Sequence, residues 1–243
     1  MPNRYSHVPN FTQYMEIVLG IANKGSGRQR ILDIPAGNGL LAEKLAEYGH
    51  DVVCADINNE KEAYVYADMS ETLPFNDGEF DTVICLEGVE HVIEPSKLIS
   101  ELCRICKDQG RIIISLPNIQ NMFSRLQFIS TGTYYQFPPS LPSQNIDNRK
   151  REDLGHISPL SFVQLRYLFK YYKADLIAVS GDKYKKKILL PLLLPFILLG
   201  YLWSHYLEKQ DLAGNKTSNK HLFSPPLLFS RSLILVFTKN NTH

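Results

Sequence analysis

The sequence predicts an α/β fold in which seven strands, mostly parallel, form one sheet with helices on both faces. Three observations predict it. Short apolar, β-branched runs bounded by Gly, Pro or Asp recur along the chain, among them RILDI (30–34), DVVCADI (51–57) and FDTVICLE (80–87). Stretches with apolar residues at helical spacing lie between them, and that alternation makes βαβ units and parallel pairing. The third observation is size: 243 residues suit one large α/β domain with insertions, so residues 1–243 are read as a single domain. With 44% hydrophobic and 21% charged residues the chain can fill a core, which excludes disorder as its main state. Its 26 Lys and Arg against 25 Asp and Glu create no global field for nucleic acid, so no DNA partner is expected. Four cysteines are too few for a disulfide scaffold, and the opening MPNRYSHVPNFTQ has no apolar run. A reduced, cytoplasmic chain is therefore expected.

Residues 9–23 have helical spacing, and the first strand follows at 30–34. LLAEKLAEY (40–48) is a helix and 51–57 the second strand. AYVYAD (63–68) reads as a third strand, with too little chain before it for a normal crossover helix. Residues 80–87 make the fourth strand, PSKLISELCRICK (95–107) an amphipathic helix and GRIIISLPN (110–118) the fifth strand. Pro, Ser and Asn crowd 131–153, so 119–160 is expected to be a lid that shapes an acceptor pocket. SPLSFVQLRYLFKYY (158–172) opens with a Ser cap and a Pro at the first helical position. ADLIAVSG (174–181) and RSLILVFTK (231–239) complete the strands, the last expected to be antiparallel. Cys103 and Cys106 lack the second ligand pair of a structural zinc and are read as core.

ILDIPAGNGLLAEKL (31–45) joins a buried strand to a helix through Gly37 and Gly39. Glycine lets the backbone turn sharply and approach a ligand, and the helix start offers unpaired N–H groups. In an open parallel sheet, ligands bind at the carboxyl ends of the strands, where this loop lies. Gly37-x-Gly39-x-x-Ala42 with Asp56 also satisfies a dinucleotide fingerprint, so a nicotinamide oxidoreductase is a rival reading. Asp33 argues against it. A carboxylate on the entering strand repels a pyrophosphate and suits a cationic amine and sulfonium. Asp56 offers a bidentate acceptor for a ribose diol, and Asp68-Met69 a carboxylate and an apolar face for adenine.

These residues, with LPFNDGEFDTVICLEGVEHV (73–92), resemble the class I S-adenosylmethionine-dependent methyltransferases, closely over 28–118 and by order of elements elsewhere. The resemblance implies a Rossmann-like sheet with a C-terminal antiparallel strand. It also implies that Asp33, Pro35, Ala36, Gly37 and Gly39 hold the methionine moiety, Asp56 and Ile57 the ribose, and Asp68 and Met69 the adenine, with Glu87 beside the cofactor. Pro35-Ala36 departs from the family's more frequent Gly-Cys or Gly-Ser, and the second crossover helix is almost absent.

If a helical turn begins after the fourth strand, Glu87, Glu90 and His91 share one face. Two carboxylates and an imidazole can bind a divalent cation. His156, in DLGHISP beyond the lid, can return over the pocket. The set is similar to metal-dependent O-methyltransferase branches, which implies Mg²⁺ or Mn²⁺ at Glu87, Glu90, His91 and His156 against a hydroxyl acceptor. Metal-free catalysis by a His or Glu base, and a structural role, stay open beside it.

ILLPLLLPFILLGYLW (188–203) is uncharged and interrupted by Pro191 and Pro195, shorter than the roughly 20 residues of a spanning helix. Lysines precede it and Tyr201, Trp203 and Tyr206 end it, a pattern that suits an anionic membrane surface. The insert 183–210 is accordingly expected to be peripheral to the inner face of the membrane through 183–206, or else a buried helix pair. The expected function is O-methylation of a small-molecule or lipid-linked acceptor such as a polyprenyl-linked glycan or quinone precursor. A catalytically silent membrane-associated binding protein is the remaining rival.

Overall fold

The computed structural model of the protein describes residue 8 and residues 10–25, 27–58, 61–138, 155–184, 190–210 and 221–241. Strands β1 (Arg30–Asp33), β2 (Asp51–Asp56), β3 (Val65–Tyr66), β4 (Phe80–Leu86), β5 (Cys106–Pro117), β6 (Ala174–Gly181) and β7 (Ser232–Lys239) form one sheet. Its order is β3-β2-β1-β4-β5-β7-β6. The first five strands run parallel, and β7 pairs antiparallel with both β5 and β6.

Both faces of the sheet are covered, which is why the inner strands read as unbroken apolar runs. Along β4, Val83 and Cys85 face one core and Ile84 and Leu86 the other. The first core receives Leu98 and Leu102 of α3 (Pro95–Ile105) and Phe162, Leu165 and Phe169 of a later helix, Phe162–Tyr171. The second receives Tyr14 and Val18 of α1 (Gln13–Ala22) and Leu41 and Leu45 of α2 (Leu40–Glu47). Arg111 of β5 ties α1 down by donating to the carbonyls of Ile21, Ala22 and Lys24, acceptors that a helix end leaves unpaired.

Several boundaries differ from expectation. β3 keeps only two residues, because the short link from β2 leaves it at the sheet edge. Residues 122–131, expected to lie in the lid, form helix α4 (Met122–Thr131), capped by the Asn121 side chain, which accepts from the Ser124 amide at 2.8 Å. The part of the expected loop at 139–154 lies outside the described residues. Helix α5 (Phe162–Tyr171) starts three residues later than its Ser-Pro signal, because Ser161 and Gln164 form a capping box. Ser158 instead donates to the carbonyl of Val92 at 2.6 Å. The proline-interrupted insert is one helix, α6 (Leu190–Gln210), with Pro195 inside it, followed by α7 (Pro225–Phe229). Cys106 opens β5 rather than continuing α3. Cys103 and Cys106 are buried thiols, pushed up to about 12 by desolvation, so they stay protonated core residues.

Candidate active site

The strand order reverses around β1, with β2 on one side and β4 on the other, and a crevice opens beyond their carboxyl ends. A cavity of about 880 Å³ lies there. Asp33, Pro35, Ala36, Gly37, Asp56, Ile57, Asp68, Met69 and Glu87 all line it, as do His91 and His156. Two expected site residues do not. Gly39 takes a left-handed φ of 79° as the N-cap of α2, and a Cβ there would stand 2.5 Å from the Tyr64 hydroxyl, so it shapes the loop from behind. Glu90 lies behind the wall, fully buried.

Asp33 ends β1 with its carboxylate at the cavity, the residue only 3% exposed, and accepts no hydrogen bond among the described residues. Burial, with Asp56 close by, pushes its carboxyl up to about 7. Such a group lacks a cation, which is the complement that a sulfonium or amine brings and a diphosphate does not. Asp56 accepts from the amides of Gly37 at 2.9 Å and Asn58 at 3.0 Å, which fixes the glycine loop while its remaining lone pairs stay available to a diol. The Asn38 side chain donates to the carbonyl of Val8, bringing the segment before α1 against the loop. Beyond β4, Gly88 is a point of close approach: a Cβ would stand 2.7 Å from Pro35 Cδ and 3.3 Å from Met69 Sδ. Glycine there lets the end of β4 approach the wall formed by Pro35 and Met69.

Glu87, Glu90 and His91 do not share a helical face. Glu87 has φ 48° and Val89–His91 is a single 3₁₀ turn, so Glu87 turns away from the other two. Its carboxylate accepts from the Ser115 hydroxyl at 2.9 Å. Desolvation raises the Glu87 carboxyl, opposed by that hydrogen bond and by Arg231. The metal-type group is instead Glu90, His91 and His156, whose ligand atoms all lie within 4.8 Å of one another. It forms because the segment at 157–158 clips onto the turn: the Ile157 and Ser158 amides both donate to the Glu90 carbonyl at 3.0 Å. The imidazoles of His91 and His156 meet edge to face at 4.9 Å. His156 Nδ1 lies 2.7 Å from the Gln136 carbonyl and so carries a proton, which makes Nε2 the ring's basic nitrogen.

Residues 32–114 match the methyltransferase domain family. The fold is shared with a SAM-dependent methyltransferase from Archaeoglobus fulgidus, at TM-score 0.57 and 18% identity, over 93% of this chain and 94% of that one. It is shared too with the 1,6-didemethyltoxoflavin-N1-methyltransferase of Burkholderia thailandensis, at TM-score 0.55 and 12% identity, over 94% of this chain and 78% of that one. The family match covers about a third of the chain, and over nearly its whole length the chain has the fold of these methyltransferases. Among curated relatives, a demethylmenaquinone methyltransferase of Clavibacter sepedonicus is 37% identical over 35% of this chain and 40% of its own length. A ubiquinone biosynthesis O-methyltransferase of Aromatoleum aromaticum is 28% identical over 46% of this chain and 53% of its own. The chain thus spans about half the length of these relatives, or less.

The fold also brings to the cavity side chains that sequence reading missed. Tyr14 of α1, Asp182 and Lys183 after β6, and Arg231 before β7 line the cavity. Asp182 accepts from the Ser232 amide at 2.8 Å, and Arg231 donates its amide to the Lys183 carbonyl at 3.0 Å. Burial and the nearby Glu87 push the Tyr14 phenol up to about 12, so it stays a neutral donor. No local motif marks these residues; Asp182, Lys183 and Arg231 meet through the antiparallel pairing of β6 with β7, and Tyr14 comes from the helix packed on the sheet.

Proposed function

We propose that the chain transfers the methyl group of S-adenosylmethionine to a hydroxyl oxygen of an apolar, quinone-like or lipid-linked acceptor. The observation that carries this is the pairing, in one cavity, of a buried uncompensated carboxylate at Asp33 with the two imidazoles of His91 and His156. Asp33 holds the cationic amino-acid end of the cofactor, Asp56 the ribose, and Asp68 with Met69 the adenine. The acceptor then lies between the cofactor and the imidazoles, so that its oxygen, the methyl carbon and the sulfur align. As the carbon–oxygen bond forms and the carbon–sulfur bond breaks, the hydroxyl proton passes to an imidazole, which suits His156, whose ring is oriented by the Gln136 carbonyl at Nδ1. S-adenosylhomocysteine and the methyl ether leave.

Glu90, His91 and His156 also fit a divalent cation such as Mg²⁺ or Mn²⁺, with one carboxylate behind the cavity wall and two imidazoles on it. Bound there, the ion would lower the pKa of a coordinated hydroxyl. Glu87 stands outside this set and serves the cofactor side.

Calorimetry with S-adenosylhomocysteine and with NAD tests the first half: only the former binds, and NAD binding instead would overturn the reading. Turnover of labelled S-adenosylmethionine against a membrane lipid extract tests the second. His91→Ala and His156→Ala should lose at least about a hundredfold in turnover while cofactor affinity stays within about twofold. Turnover unchanged by both substitutions sinks the assignment of the base, and turnover indifferent to a chelator sinks the cation.

A further inference from the structure

α6 exposes apolar side chains almost all the way round. Leu193 is buried, and with Ile197 it packs on Met122, Leu228 and Phe229. Gly200 lies against the Phe223 ring, continuing that stripe one turn on. The rest faces outward, with Phe196 67%, Leu199 64% and Trp203 64% exposed. Eight of the nineteen large exposed hydrophobics among the described residues lie between Leu194 and Tyr206. The surface continues onto α4, where Leu126, Phe128 and Ile129 are exposed. Folded proteins seldom leave so contiguous an apolar surface in water unless something covers it.

Charge identifies the cover. From Lys183 to Leu207 the sequence carries four lysines and no carboxylate; Lys185, Lys186 and Lys187 precede α6 outside the described residues, and Tyr201, Trp203 and Tyr206 stand in the second half of the helix. Cationic residues beside apolar ones, with Tyr and Trp amphipathic rings among them, match the headgroup layer of an anionic bilayer. Among the described residues no helix is long and apolar enough to cross a membrane, so the fit is to a surface. A geometric link to the cavity completes the argument. A small apolar crevice of about 40 Å³ between α4, α6 and α7 is lined by Leu126, Leu193 and Phe229 and bordered by Arg231, which also lines the large cavity.

We propose that α6 and the adjoining face of α4 dock on an anionic bilayer surface, which sets the crevice at the lipid and lets an apolar acceptor reach the cavity past Arg231. The delivery of acceptor rests on the methyl-transfer reading above; the docking does not.

Trp203 is the one tryptophan of the sequence and sits on the proposed surface, so intrinsic fluorescence reads the docking directly. The full chain is mixed with vesicles of phosphatidylcholine containing about one-third phosphatidylglycerol. The expected result is a blue shift of Trp203 emission, quenching by lipids brominated on the acyl chain, and flotation with the vesicles. The double substitution Phe196→Glu, Leu199→Glu should weaken partitioning at least about tenfold, with S-adenosylhomocysteine affinity and melting temperature unchanged. Emission unmoved by these vesicles overturns the docking while leaving the cofactor site, read separately by calorimetry, untouched. A shift no greater than with pure phosphatidylcholine vesicles overturns the choice of an anionic surface. A dimer in sedimentation, with Trp203 already blue-shifted without lipid and a monomer on Leu199→Glu, overturns the proposal in favour of self-association.

Discussion

Asp33 carries opposite consequences for binding and for folding. Its carboxyl moves from 3.8 to about 7 on burial, so between those pH values the folded chain keeps a proton that the unfolded chain has released. Stability therefore falls as pH rises through that window, and the cost is complete above pH 7. Asp33→Asn should raise unfolding stability by about 2–4 kcal/mol above pH 7 and leave it unchanged below about pH 4, read by urea denaturation across pH. The same substitution should weaken cofactor binding. In the natural chain, binding should be roughly tenfold weaker at pH 6 than at pH 8, because only the ionised carboxylate attracts the cationic cofactor. Binding that is flat across this range would contradict the role given to Asp33. At this scale the sequence was informative along contiguous runs: the acids and Gly37 around the first three strand ends all line one cavity. Glu87 was misplaced because a left-handed φ at a non-glycine residue leaves no trace in sequence. Arg231 and Asp182 were missed because their placement depends on β7 entering the sheet.

Elements followed periodicity and capping, and failed where two signals competed. Ser158-Pro159 predicted the start of α5, and the capping box of Ser161 with Gln164 sets it three residues later. Ser161→Ala should cost about 1 kcal/mol in chemical denaturation, whereas Ser158→Ala should disturb the clip at His156 more than the helix. Loss of turnover without loss of α5 stability separates the two. α6 runs through Pro195 as a single helix, although its two prolines read as breaks; much of its surface is in solvent, where a lost hydrogen bond is replaced by water. The third strand was over-read, since AYVYAD is apolar enough for a longer run but has a neighbour on one side only.

Across the molecule, the mostly parallel sheet and its antiparallel end were legible, because alternating strands and helices leave few topologies. The order in which β7 slots between β5 and β6 was not, being a matter of pairing partners rather than of pattern. That strand binds the sheet to α5: the Phe237 ring stacks on Phe169 at 3.8 Å, both fully buried. Phe237→Ala should destabilise the whole fold by about 3–5 kcal/mol, visible as a single cooperative loss in thermal unfolding. A transition that splits in two, leaving the cofactor site intact, would show that this half is a separate folding unit.

Because β7 is the last of the seven strands in the sequence yet occupies an interior column, vectorial synthesis leaves a gap in the middle of the sheet until it emerges. Both neighbours wait with unsatisfied edges, and the greasy α6 has already left the ribosome by then. Until β7 is in place, the apolar α6 and these open edges are exposed together. Protease protection of β5 in ribosome-stalled chains should accordingly appear only once Lys239 has cleared the exit tunnel.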